Sequence, residues 1–132
     1  MHKIYTRFLN LKAFSMKNVV LNKFLSRFHH LKCIDFSFSE LGNKELFKNS
    51  VNPLSIHATS LVGLSLRGTN LYLDDLLTGT LSTLINLKYL DLSKSNKSQT
   101  HQINDLRTLK TLTNLVWLNV SFTESNSIYL FI

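Results

Sequence analysis

The chain has 132 residues, 44% hydrophobic and 17% charged, with one proline and four glycines; this suits one packed domain and excludes a disordered or linker-rich polypeptide. Its formal net charge of +7 is all N-terminal: Lys3, Arg7, Lys12, Lys17, Lys23, Arg27 and Lys32 meet no acid in residues 1–34, while residues 35–132 hold eight bases and eight acids. Cys33 is the single cysteine, which excludes an internal disulfide, and no apolar run reaches the roughly 18 residues that a membrane span needs.

A leucine motif of the form L-x-x-L-x-L recurs along the chain and sets the expected architecture. In chain order its copies are Leu11-x-x-Phe14-x-Met16, Leu31-x-x-Ile34-x-Phe36, Leu61-x-x-Leu64-x-Leu66, Leu87-x-x-Leu90-x-Leu92 and Leu115-x-x-Leu118-x-Val120. Their starts at 11, 31, 61, 87 and 115 are 20, 30, 26 and 28 residues apart, centred on the leucine-rich repeat period. Alternation at the fourth and sixth motif positions predicts a short strand in each copy, with cores Phe14/Met16, Ile34/Phe36, Leu64/Leu66, Leu90/Leu92 and Leu118/Val120.

Between strands the apolar period lengthens. After the first strand Val20, Leu21, Phe24, Leu25 and Phe28 share one helix face. The second connection carries the turn-rich stretch Asn49-Ser50-Val51-Asn52 before Pro53, so an irregular path is expected there. Leu73, Leu76, Leu77, Leu81 and Leu84 predict a helix before the fourth strand, with Asp74 and Asp75 at its amide end. Ile103, Leu106, Leu109 and Leu112, three residues apart, predict another before the fifth.

The fold expected is therefore α/β: a leucine-rich repeat solenoid of about five repeats, a curved parallel sheet with helices on its convex side. The array covers residues 1–124, and residues 125–132 form an apolar tail or the truncated start of a next repeat. Such an array needs polar caps, and neither end supplies one, so the chain reads as a fragment, a truncated gene model or one piece of a larger protein.

The exposed strand face of a solenoid binds partners, and the outward positions carry the candidates. Position three gives Ala13, Cys33, Gly63, Tyr89 and Trp117, and position five gives Ser15, Asp35, Ser65, Asp91 and Asn119. Positions seven and eight give Lys17/Asn18, Ser37/Phe38, Arg67/Gly68, Ser93/Lys94 and Ser121/Phe122. Asp35, Arg67, Tyr89, Asp91, Lys94, Trp117, Asn119 and Phe122 are the partner-binding candidates, centred on Tyr89 and Trp117 because aromatics within a polar rim compose interface hot spots. The structural alternative, of equal weight, is that Trp117 or Phe122 covers the C-terminal edge.

No residues point to catalysis. Cys33 has no activating neighbour in sequence, and His2, His29, His30, His57 and His101 show no metal-ligand spacing. Neither a phosphate loop nor a nucleophile elbow is present, so no enzyme activity, cofactor or metal is expected. Position nine, an asparagine in most such repeats, is Ser39, Thr69, Ser95 and Thr123, with Val19 in the first copy; its hydroxyls are expected to bond backbone groups where the strand turns. The basic N-terminal segment is read first as solvated charge. The alternative function is electrostatic binding of nucleic acid or anionic lipid through residues 1–34, with nucleic acid the weaker expectation. A mitochondrial transit peptide is disfavoured by the repeat phase of Leu11, Phe14 and Met16.

The strands Leu61-Val62-Gly63-Leu64-Ser65-Leu66-Arg67-Gly68-Thr69, Leu87-Lys88-Tyr89-Leu90-Asp91-Leu92-Ser93-Lys94-Ser95 and Leu115-Val116-Trp117-Leu118-Asn119-Val120-Ser121-Phe122-Thr123 carry a hydroxyl in place of asparagine. In this they resemble intracellular leucine-rich repeat proteins, among them the Zyg-eleven-like substrate receptors of cullin-2 ubiquitin ligases, over about residues 8–124. The resemblance implies a protein-interaction module, a substrate-recognition adaptor of the ubiquitin-conjugation pathway, cytoplasmic or nuclear. Contact with the cullin-2/elongin complex would then come through regions outside this chain. The elongin-binding box and armadillo repeats of that family are not found in this sequence.

Overall fold

The computed structural model describes residues 6–15, 18–41, 54–69, 79–94 and 106–121. They contain five three-residue strands, β1 (Phe8–Asn10), β2 (Cys33–Asp35), β3 (Gly63–Ser65), β4 (Tyr89–Asp91) and β5 (Trp117–Asn119), and one helix, α1 (Asn18–Leu25). Short 3₁₀ helices at Ser55–His57, Leu81–Thr83 and Leu106–Thr111 precede β3, β4 and β5. The strands form one parallel sheet in chain order, β1 to β5.

The register makes each motif position a row across the sheet. Leu9 pairs with Ile34, Ile34 with Leu64, Leu64 with Leu90, and Leu90 with Leu118. The ladder runs on past the strand ends in the same way at all four junctions. The position-six amides of Leu11, Phe36, Leu66 and Leu92 donate to the position-five carbonyls of Asp35, Ser65, Asp91 and Asn119 at 2.7–2.9 Å. The position-eight amides of Ala13, Phe38, Gly68 and Lys94 donate to the position-seven carbonyls of Ser37, Arg67, Ser93 and Ser121 at 2.7–3.1 Å. Few backbone groups at a junction are therefore left for water, as burial demands.

Alternation explains the core. Ile34, Phe36, Leu64, Leu66, Leu90 and Leu92 are all buried, together with the motif leucines Leu31, Leu61 and Leu87. Leu118 was expected to be equally deep and is only partly buried, packed against the core as its row ends on β5. On the far side Leu21 and Leu25, one helical turn apart, are buried by α1, and Phe24 meets Phe28 edge-on with ring centroids 5.0 Å apart. Leu81, Leu84, Leu109 and Leu112 complete this layer. The expected elements at 42–53, 70–78 and 95–105, including Pro53, Asp74, Asp75 and Ile103, lie outside the described residues, as do Phe122, Thr123 and the tail.

The first copy is corrected by five residues. Because Leu9 sits opposite Ile34, its frame is Thr6-x-x-Leu9-x-Leu11, so Leu11 occupies position six and not position one. Leu11 is buried while Phe14, expected in a strand core with Met16, is exposed and stands at position nine; Met16 lies outside the described residues. The physical reason is the shared ladder: in this frame Leu11 is buried with Leu9 packed against the core, and the Leu11 and Ala13 amides reach the Asp35 and Ser37 carbonyls just as the equivalent amides do in the later copies. The start-to-start spacing also becomes 25 residues rather than 20.

His57 is an ionisable group in this core, 2% exposed, with its ring Nε2 3.2 Å from the Leu25 carbonyl at the end of α1. Burial pushes its pKa below the ordinary 6.5; the Leu25 hydrogen bond opposes the shift, and the positive charges of His29 and His30 reinforce it. Since the folded-state value lies below the unfolded one, stability is complete above 6.5 and falls as the pH drops through that value. The melting temperature should therefore decline between about pH 7 and pH 5, and His57→Gln should flatten that decline. An unchanged slope in the variant would remove His57 as its source.

Candidate functional site

The face opposite the core is built from positions three and five. Position three, in register, is Phe8, Cys33, Gly63, Tyr89 and Trp117. Small residues thus occupy the centre of the row and large rings both ends. Phe8 is 71% exposed, Tyr89 50% and Trp117 46%. Between them the face holds an open depression of about 440 Å³, lined by these rings, Cys33, Gly63 and the neighbouring position-five residues. Gly63 keeps its floor low: a Cβ there would stand 2.9 Å from Cys33 Sγ, so the thiol lies over β3 where a side chain would otherwise rise. Burial pushes the Cys33 thiol pKa up, partly offset by a hydrogen bond with the Gly63 backbone, so at neutral pH it is a neutral thiol and a poor nucleophile.

Position five is Asn10, Asp35, Ser65, Asp91 and Asn119, and most of this row serves the fold as well as the face. Oδ1 of Asn10, Asp35, Asp91 and Asn119 accepts the position-seven amide of Lys12, Ser37, Ser93 and Ser121 at 2.8–3.0 Å, closing an Asx turn as each strand ends. Ser37 Oγ also donates to Asp35 Oδ1, so the 2.8 Å contact between Ser37 and Ser65 hydroxyls has Ser65 as donor. Asp35, Asp91 and Asn119, proposed from sequence as recognition residues, therefore each commit one oxygen to the turn. Among the described residues, the second oxygens of Asp35 and Asp91 accept no hydrogen bond and meet no base in an ion pair.

At the loop edge position eight is left-handed in four successive copies, with φ of 56° at Ala13, 59° at Phe38, 63° at Gly68 and 55° at Lys94. Phe38 is half exposed and lies between two cations, Lys12 Nζ at 5.8 Å and Arg67 Cζ at 5.6 Å from its ring centre. Arg67 thus serves this stack at the edge, and its buried Nε has no partner among the described residues. Lys94 stands exposed in the next turn. Two of the position-nine hydroxyls bond backbone groups as expected: Ser39 Oγ donates to the Leu11 carbonyl and accepts the Phe14 amide, and Thr69 Oγ1 donates to Leu66 at 2.7 Å, while Ser95 and Thr123 lie outside the described residues.

Of the sequence candidates, the structure brings Tyr89, Asp91, Trp117 and Asn119 together on β4 and β5, with Tyr89 opposite Trp117 and Asp91 opposite Asn119. Asp35 shares their row two strands away, Arg67 and Lys94 stand at the loop edge, and Phe122 lies outside the described residues. Phe8 was missed because the misplaced first frame put Ala13 at position three. Two further residues were missed, Asn86 and Asn114, each just before a motif leucine. Their Nδ2 atoms donate at 2.8 Å to the carbonyls of Thr59 and Ile85, one copy back, and so tie successive copies together.

Among the described residues, no group of three His, Cys, Asp or Glu side chains could hold a metal ion, and no helix is long and apolar enough to cross a membrane. No family model, curated protein or solved structure matches the chain.

Proposed function

We propose that this chain is a leucine-rich repeat solenoid whose open strand face docks a protein partner. The observation that carries the reading is the pair Tyr89 and Trp117, half exposed on adjacent strands beside an open depression. Aromatic side chains exposed in this way lose water on binding and gain packing at small entropic cost, which is why they anchor interfaces. The solenoid assignment is supported by the identical hydrogen-bond set at four successive junctions. Within this reading the narrower proposal is a substrate receptor of a cullin-2 ubiquitin ligase in the cytoplasm or nucleus. It rests on the likeness of the Leu87–Ser95 and Leu115–Thr123 strands to the Zyg-eleven-like repeats.

The test compares the chain with its Trp117→Ala variant. The variant should bind a partner captured by the wild-type chain about 2 kcal/mol or more weakly by calorimetry, with little change in melting temperature. Equal affinity would show that the face is not the docking surface, and a large stability loss with binding intact would make Trp117 an edge-covering residue. Absence of elongin and cullin subunits from purifications of the full gene product would remove the adaptor proposal and leave the docking one.

A further inference from the structure

The charges on the open face do not follow those of the chain. Bases outnumber acids 15 to 8 overall, yet the charged residues at positions three and five are Asp35 and Asp91 alone. Arg7, Lys32 and Lys88 stand at position two, before the strands begin, and do not line the depression. Lys12 and Arg67, at position seven, lie against Phe38 at the β1–β3 end. Over β4 and β5 position seven is Ser93 and Ser121, and Lys94 stands in the turn at position eight, on the loop edge. Positions three and five of this half therefore set one carboxylate, an amide and two half-exposed rings on the same side, without a base among them.

We infer that the β4–β5 half of the face binds a cationic side chain, arginine above all, presented by an extended segment of the partner protein. The inference rests on the docking reading above and names the chemistry of its occupant. Asp91 Oδ1 is held by the Ser93 amide at 2.9 Å, which fixes the carboxylate and leaves Oδ2 free to pair. Tyr89 stands two residues before Asp91, about 7 Å along the strand, within reach of a guanidinium lying flat on either ring. Arginine fits because its planar group stacks on an aromatic face and still donates N–H edgewise to a carboxylate; a lysine ammonium offers the charge without the plane. The Asn119 amide lies opposite Asp91 and offers donors to the backbone of the incoming segment. The low floor at Cys33 and Gly63 gives that backbone room to continue across the sheet.

Trp117 is the only tryptophan, so its emission reports on this site directly. Three short peptides identical except for a central arginine, glutamine or glutamate are titrated against the whole chain. The arginine peptide should perturb Trp117 emission with a dissociation constant about tenfold below that of the glutamine peptide, and glutamate should bind more weakly still. Asp91→Asn should erase the arginine preference without unfolding the chain, because Asn10 and Asn119 already make the same turn at the equivalent positions. Equal binding of the three peptides, preference for glutamate, or an unaltered preference in Asp91→Asn would overturn the cation inference and leave the docking reading standing. No response to any of the peptides up to about millimolar concentration, weaker than the weakest specific interfaces, would overturn both.

Discussion

Leu90→Ala should lower the free energy of unfolding by about 2–5 kcal/mol, read as a fall in the urea midpoint at constant slope. Leu90 is fully buried on β4, in register with Leu64 on one side and Leu118 on the other. Truncation removes apolar surface from two junctions at once, and the stacked backbone, tied by hydrogen bonds on both sides of β4, has little freedom to collapse into the gap. Leu118→Ala provides the internal comparison. The same three carbons are lost at a partly buried position, so the cost should be smaller, about 1–2 kcal/mol. If both substitutions cost under about 1 kcal/mol, the leucine rows are not the core and the register is wrong.

The parts of this fold that were legible in the sequence are those fixed by a period. The alternation at Ile34/Phe36, Leu64/Leu66 and Leu90/Leu92 leaves one apolar face per strand, and each of these residues is buried. Leu21 and Leu25, four apart, belong to an α-helix, whereas Leu106, Leu109 and Leu112, three apart, belong to or border the 3₁₀ helix Leu106–Thr111, whose turn is three residues. The first copy was ambiguous because Leu11 fits either end of the motif; only the pairing of Leu9 with Ile34 decides between the frames. Three residues of strand carry too little pattern to settle a register alone.

The candidate site was half legible for a related reason. That Tyr89 and Trp117 share a face with Asp91 and Asn119 follows from parity along the strand. That Asp35, Asp91 and Asn119 also close turns does not follow from parity. It follows from the unpaired position-seven amide at each strand end, which the nearest Asx side chain satisfies. The signal was present as Asp35-Phe36-Ser37, Asp91-Leu92-Ser93 and Asn119-Val120-Ser121, an Asx residue two places before a serine. Residues at the end of an exposed strand satisfy the backbone first, and this bears directly on variants. At position five an Asp→Asn change isolates the charge, whereas Asp→Ala would remove charge and turn together.

Gly68→Val should be the most damaging single change outside the leucine rows, costing about 3 kcal/mol or more, through two effects that add. The backbone at Gly68 has φ +63°, which a β-branched residue adopts only under strain. A Cβ there would also stand 2.5 Å from the Phe38 ring, which cannot withdraw without leaving its place between Lys12 and Arg67. The turn must nevertheless form, since the Gly68 amide donates to the Ser93 carbonyl at 2.8 Å and carries the ladder between the third and fourth copies. Ala13 holds the same register position at φ 56° in the first copy, exposed and without glycine's freedom. Ala13→Gly should accordingly stabilise the chain, by up to about 1 kcal/mol after the added chain entropy of the unfolded state is deducted. The two substitutions move stability in opposite directions at equivalent places because they add and remove a Cβ in the same left-handed turn. A neutral result for both by thermal and urea unfolding would mean that position eight is not left-handed in solution, and the repeated turn of the described copies would have to be redrawn.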